Sequence, residues 1–245
     1  YNSEKDAIEK ILALDSQSPY VDFLLSRYVN SLEAKVNIYG SYGEPISSYK
    51  AYHQHTQAVA TQDYPTDWIL TTAKDKKVAN PYLWQVAAGY VSSFRNEFNE
   101  ARTFLSKAEK MADNPAKKAQ VRLIGLLNEV AALERITPQA EQKLLKDLPW
   151  LWDYKAPEGQ EALRSGYALV FIGKYISMLY KAENNPIMAE LTYSVKGYYR
   201  KEEQTAAMEQ FLQKKDKTPW ETFWAKKYQY TLNDIYESKA IYAFY

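Results

Sequence analysis

Six dipeptides divide this chain. Ser18-Pro19, Asn80-Pro81, Asn114-Pro115, Thr137-Pro138, Asn185-Pro186 and Thr218-Pro219 each put a short hydrogen-bonding side chain directly before a proline. Such a pair reads as a helix start. The first residue's side-chain oxygen accepts from a free N–H of the opening turn. Proline at the first helical position gives up only an N–H that had no partner. Thr218-Pro219-Trp220-Glu221 adds a glutamate three residues after the threonine, which predicts a reciprocal capping box. Six of the ten prolines therefore begin helices rather than break them. With only eight glycines in 245 residues, the chain also lacks the tight-turn residues that a strand-built fold would use.

Between these marks the apolar spacing is helical. Val121, Ile124, Leu127, Val130 and Ala131 share one face of a helix, as do Trp220, Phe223, Trp224, Tyr228, Leu232 and Ile235, and Phe23, Leu24, Tyr28 and Leu32. The spacing predicts an all-α fold of about ten helices joined by short loops. Tyr39 to Ser48, with two glycines and a proline, is the first candidate for a longer loop, and Asp153 to Gly159 is the second. The length suits one extended domain over 1–245, or a subdivision into N-terminal helices over 1–79 and a repeat region over 80–245.

Asn80-Pro81 and Asn114-Pro115 lie 34 residues apart, and Asn185-Pro186 and Thr218-Pro219 lie 33 apart. A 34-residue helix-turn-helix period is that of tetratricopeptide repeats. The stretch from Asn80 to Pro115 resembles that family in detail. Trp84, Ala87, Ala88 and Val91 match its large, apolar, small and large positions in the first helix, and Ala101, Leu105 and Ala108 match the small, large and small positions of the second, with one extra residue between. Small residues there let two helices approach closely. The second unit matches less well. Counted from each proline, Tyr90, Phe94, Arg95, Glu97 and Ala101 correspond to Val195, Tyr199, Arg200, Glu202 and Ala206, while Ala108 has only Lys214 nearby. The resemblance implies a right-handed solenoid of antiparallel helix pairs. It also implies a protein or peptide partner held in a groove lined by the first helices, at Tyr82, Gln85 and Ser92.

Several chemistries find no foothold. Thirty-one basic and 30 acidic residues leave a formal charge of +1, so the electrostatic basis of nucleic-acid binding is missing. Without cysteine there is no disulfide, thiolate metal site or cysteine nucleophile. The longest apolar run, Tyr167 to Tyr180, holds Lys174 and is shorter than the roughly 20 residues of a membrane span; it reads as a buried helix. The two histidines, His53 and His55, point to nearly opposite sides of a helix; in an extended loop, Glu44 or Asp63 would be the third ligand to a metal. Ser47-Ser48-Tyr49-Lys50 fits the Ser-x-x-Lys pattern of serine acyl-enzymes, but its usual companion motifs are missing. It reads as the start of an ordinary helix. The acidic pairs Glu97/Glu100 and Glu202/Glu203 fall where the helix dipole favours them. No metal or cofactor is expected.

The 22 tyrosines are in excess and suit half-buried positions. Trp150, Trp152 and Tyr154 cluster with Asp153 near a helix end. Exposed rings beside a carboxylate would stack on sugars or peptide side chains; buried, Trp150 and Tyr154 would cap the core between helix layers, which suits large aromatics better. The expected function is a non-enzymatic protein-binding scaffold, in a bacterial periplasm or cell envelope or else in the cytoplasm. A glycan-binding lipoprotein similar to the SusD-like family is the alternative, pointed to by the aromatic content and by Tyr39 to Pro45. An all-helical enzyme with dispersed carboxylates is the third.

Overall fold

The computed structural model describes residues 4–38, 46–75, 77–156, 163–193, 202–227 and 231–243, without the side chains of 202 and 241–243. Among these residues there are fourteen α-helices, one π-helical turn and no strand. The chain divides into two compact units, Tyr1–Ala132 with Tyr154–Ser165, and Leu133–Asp153 with Gly166–Tyr245.

In the first unit the helices are α1 (Glu4–Leu14), α2 (Tyr20–Lys35), α3 (Tyr49–Ala58), α4 (Asp67–Lys74), α5 (Pro81–Phe94), α6 (Phe98–Met111) and α7 (Pro115–Ala131). α1 packs on α2, α4 on α5, and α5, α6 and α7 pack on one another in succession. The positions that carry the repeat pattern are internal: Trp84, Ala87, Ala88, Val91, Ala101, Leu105 and Ala108 are all buried. Ile8, Leu25, Leu32 and Ile69 share one core with Trp84, Val91 and Phe104, so residues on both sides of position 80 close on each other. One predicted face is rotated. Tyr28 and Leu32 are buried, but their companions on α2 are Val21, Leu25 and Val29, and Phe23 is exposed.

The second unit holds α8 (Pro138–Leu144), α9 (Leu148–Trp152), α10 (Ser165–Ala182), α11 (Pro186–Thr192), α12 (Glu202–Gln213), α13 (Pro219–Lys227) and α14 (Leu232–Ala243). α10 is the apolar run, buried along most of its length from Ala168 to Tyr180. No described helix is long and apolar enough to cross a membrane. α10 meets α11 closely: the Ser177 hydroxyl donates to the Ala189 carbonyl at 2.7 Å. Trp220, 1% exposed, donates its indole N–H to the Tyr180 hydroxyl at 2.7 Å. Short helices raise the count among the described residues from the ten expected to fourteen, and Tyr228, placed on one face with Trp220 and Ile235, lies outside those residues.

Five of the six proline marks form the caps they predict. Asn80, Asn114, Thr137 and Asn185 accept from the backbone N–H of Leu83, Lys117, Ala140 and Met188 at 3.0 to 3.3 Å. Thr218 accepts from Glu221 N–H at 3.1 Å, and the Glu221 carboxylate accepts from Thr218 N–H at 2.7 Å, closing the box. Ser18 does not cap; α2 begins after Pro19 with no side-chain cap bond.

Two asparagines end helices in a way the sequence reading missed. Asn96 and Asn184 have φ of 63° and 56°, in the left-handed region. Around Asn184, Asn185 N–H donates to the Tyr180 carbonyl at 2.9 Å and Asn184 N–H to the Lys181 carbonyl at 3.2 Å, the paired bonds of a Schellman motif. Glu97 and Asn96 repeat it on Ser92 and Ser93. Asn184→Ala is expected to cost about 1 kcal/mol, because a β-carbon without a polar tip is strained there. Asn184→Gly is expected to stay within a few tenths. Thermal melting of the two variants checks this; equal losses would refute it.

Candidate functional site

α5 was expected to line a partner groove, and the structure corrects the placement of its side chains. Tyr82, Gln85 and Ser92 are 6%, 6% and 0% exposed. The Tyr82 hydroxyl lies 2.9 Å from both the Lys117 carbonyl and Gln120 Oε1 on α7, and the Lys117 Nζ sits 5.0 Å from its ring centroid. Burial, and secondarily the charge of Asp113, pushes the Tyr82 phenol above its ordinary range. Gln85 Nε2 donates to the Ala73 carbonyl near the end of α4, while its Oε1 is buried with no hydrogen-bond partner among the described residues. The Ser92 Oγ is likewise buried without one. The physical reason is that α5 is surrounded. From Trp84 to Phe94 every residue is buried except Tyr90.

Tyr90 is where the middle of α5 reaches the surface. Its hydroxyl donates to Glu33 Oε1 on α2 at 2.9 Å. Glu33 is a carboxylate only 7% exposed, and its other oxygen is ion-paired with the guanidinium of Arg164. A buried charge needs both a counter-charge and hydrogen bonds, and Glu33 has both.

A second polar group surrounds the turn between α5 and α6. Arg95 bridges Glu97 and Asp67 at 3.0 Å each, and its Nη1 reaches the Thr66 hydroxyl at 3.3 Å. The Thr66 hydroxyl donates to the Ala60 carbonyl in the π-helical turn, Val59–Asp63. His53 Nδ1 lies 2.7 Å from Asn96 Oδ1, and Asn96 Nδ2 donates to the His53 carbonyl. His55 is spent elsewhere, with Nε2 2.9 Å from the Lys35 carbonyl. The two imidazoles thus take separate partners, as their spacing on α3 dictates. Among the described residues, no three histidine, cysteine or acidic side chains are grouped to hold a metal; Glu44 lies outside them. Ser48 caps α3 by accepting from Ala51 N–H at 3.2 Å, the ordinary helix start expected of that motif.

Of the acidic pairs, Glu97/Glu100 is similarly occupied, while the Glu202 side chain lies outside those described. Glu97 pairs with Arg95, and Glu100 with Lys74 at 3.0 Å. Glu141 is held above the usual carboxylate range by burial and then by the charge of Glu221. Glu221 goes the other way: burial raises it, but the Thr218 N–H and the Lys214 ammonium outweigh burial and hold it low.

In the second unit Trp150 and Trp152 are half-buried. Trp152 sets its ring edge-on to Phe223 at 6.1 Å and Trp224 at 6.5 Å. The Lys227 ammonium lies 4.7 Å from its centroid, so a sugar stacking on that face would have to displace a cation. Tyr154, also half-buried, begins the segment that belongs to the first unit. Tyr39 to Pro45, the other glycan indication, lies outside the described residues.

The surface residues that stand out are others. Leu14, Tyr20 and Phe23, at the α1–α2 hairpin, are 91%, 73% and 67% exposed. Angular bookkeeping finds Phe23: at 3.6 residues per turn it lies about 140° around the helix from Tyr28. No family model, curated protein or solved structure matches the chain.

Proposed function

We propose that this chain is a non-enzymatic protein-interaction module built from tetratricopeptide-like helix pairs. The succession α5, α6, α7, with Ala88, Ala101 and Ala108 fully buried in it, supports the repeat reading. One observation carries the interaction reading: Leu14, Tyr20 and Phe23 are large apolar side chains left in water on one hairpin. Single exposed apolar residues are normal, but a group of them marks a contact surface. Tyrosine and phenylalanine are also the residues that anchor interfaces. A bacterial cell-envelope setting belongs to the same proposal and is compatible with the absence of cysteine.

The experiment is a crosslinked pull-down from native cells, with the intact protein and with the Tyr20→Ala/Phe23→Ala variant. We expect one dominant protein with the former, bound at least about 30-fold more weakly by the latter, the weight of a hot spot. Melting should move by no more than about 0.5 kcal/mol, since both rings are exposed. Equal capture by both proteins would remove the hairpin from the interface. Recovery of the protein alone would overturn the scaffold reading in favour of a glycan or other small ligand.

A further inference from the structure

The Glu33–Arg164 ion pair differs from the other ion pairs in how its two halves are held. The acceptor half is built from two packed helices. Glu33 is on α2, Tyr90 is on α5, and these helices belong to one core. The Glu33 side chain is 9% exposed and cannot turn away into water. The donor half is surface chain. Arg164 lies in the coil just before α10, 131 residues from Glu33, and its side chain is 62% exposed. The acceptor is therefore fixed, and the cation that satisfies it comes from outside the core.

The same point is the one place where the middle of α5 reaches the surface. If first helices such as α5 meet the partner, as a tetratricopeptide-like reading requires, a partner side chain reaching α5 beyond its first turn arrives at Tyr90. There it meets a phenol oxygen and a buried carboxylate. These are acceptors for a planar, weakly hydrated cation whose N–H groups fork, which describes arginine better than lysine. We propose that Glu33 and Tyr90 form a receptor for one arginine side chain, filled in the free chain by Arg164 and exchanged for an arginine presented by a protein partner. Arg164 is then an internal competitor. It keeps the buried carboxylate paired when no partner is present, because removing the cation from a buried pair is strongly destabilising. It also makes an incoming arginine compete against a tethered one. This inference rests on the interaction reading above.

The test uses the whole chain and the tripeptide acetyl-Gly-Arg-Gly-amide, titrated by calorimetry. Arg164→Ala is expected to bind it at least about tenfold more tightly than the unaltered protein, because a tethered group competes at an effective concentration in the millimolar range. The citrulline tripeptide, equal in shape but neutral, should not bind. Arg164→Ala combined with Glu33→Gln should not bind the arginine peptide. Equal affinity in the unaltered and Arg164→Ala proteins, no binding to Arg164→Ala, or retained binding after Glu33→Gln would each overturn the proposal. If Arg164→Ala does not fold, Arg164→Lys takes its place. It keeps a charge but loses the fork, and should bind the peptide at least about threefold more tightly than the unaltered protein; no gain overturns the proposal. The titration contains no natural partner, so its failure leaves the pull-down result standing, and the reverse.

Discussion

Gly173→Ala is expected to cost the second unit about 3 kcal/mol, near the top of the range for forcing a methyl group into a packed contact. A β-carbon built at Gly173 falls 2.5 Å from the Thr192 carbonyl oxygen. The obstacle is backbone, so no side chain can swing aside. The Thr192 carbonyl is also firmly placed: the Thr192 hydroxyl donates to the Met188 carbonyl at 2.8 Å, and Ser177 ties α10 to the Ala189 carbonyl. Relief requires α11 to move off α10. Gly125 supplies the control. It lies within α7 with nothing inside 4 Å of its β-position, so Gly125→Ala should stabilise by up to about 1 kcal/mol through helix propensity. Denaturant unfolding of the two variants measures the pair of signs. No loss in Gly173→Ala would show that the close approach of α10 and α11 is not there, and a loss in Gly125→Ala would show that its β-position is not open.

Trp84→Ala should cost the first unit about 3–5 kcal/mol, the usual range for deleting a buried aromatic ring. Trp84 is 1% exposed and sits in a run of rings. It meets Trp68 edge-on at 5.9 Å, and Trp68 meets Tyr28 edge-on at 5.3 Å. The far end is tied down twice, because the Trp68 indole N–H and the Tyr28 hydroxyl both reach the Pro65 carbonyl at 3.0 Å. Removing Trp84 takes the support from under that run and opens a cavity between α4 and α5. Such a loss is a large share of the roughly 5–15 kcal/mol that holds a typical domain together. Hydrogen exchange should report it as faster exchange of the α2, α4 and α5 amides. Trp152→Ala, at a half-buried ring, is the comparison and should cost clearly less. A Trp84→Ala loss below about 1 kcal/mol would place that ring outside the core.

Local chemistry carried the sequence reading as far as it went. An asparagine or threonine before a proline decides its own fate within four residues, and five such marks became capped helix starts. Ser18 did not, because the chain is already turning at Pro19, where φ is −68° and ψ is −18°, and α2 starts one residue later. The left-handed asparagines were legible in principle, but Asn96 is not followed by a proline that would draw attention to it. The placement of Tyr82, Gln85 and Ser92 failed for a different reason. The tetratricopeptide resemblance put them on a groove lined by first helices, yet α5 is enclosed. Tyr82 and Gln85 find backbone carbonyls on neighbouring helices that a single sequence does not reveal. Phe23 misled in the opposite sense, an aromatic ring that looks like core and stands in water. Arg164 and Glu33 carry no mutual signal at all in one sequence, since nothing in the intervening chain forecasts that they meet.

That separation has a consequence for how the protein is made. A ribosome delivers Glu33 and Tyr90 early and Arg164 only after α8 and α9 have been synthesised, 131 residues beyond Glu33 and roughly 10 s later at common elongation rates. During that interval the nascent first unit holds a carboxylate between two helices with, among the described residues, only a phenol to steady it. The unit is thus discontinuous in translation as well as in sequence. Its last electrostatic contact arrives from downstream, and a gene split after residue 132 would separate the two halves of that contact.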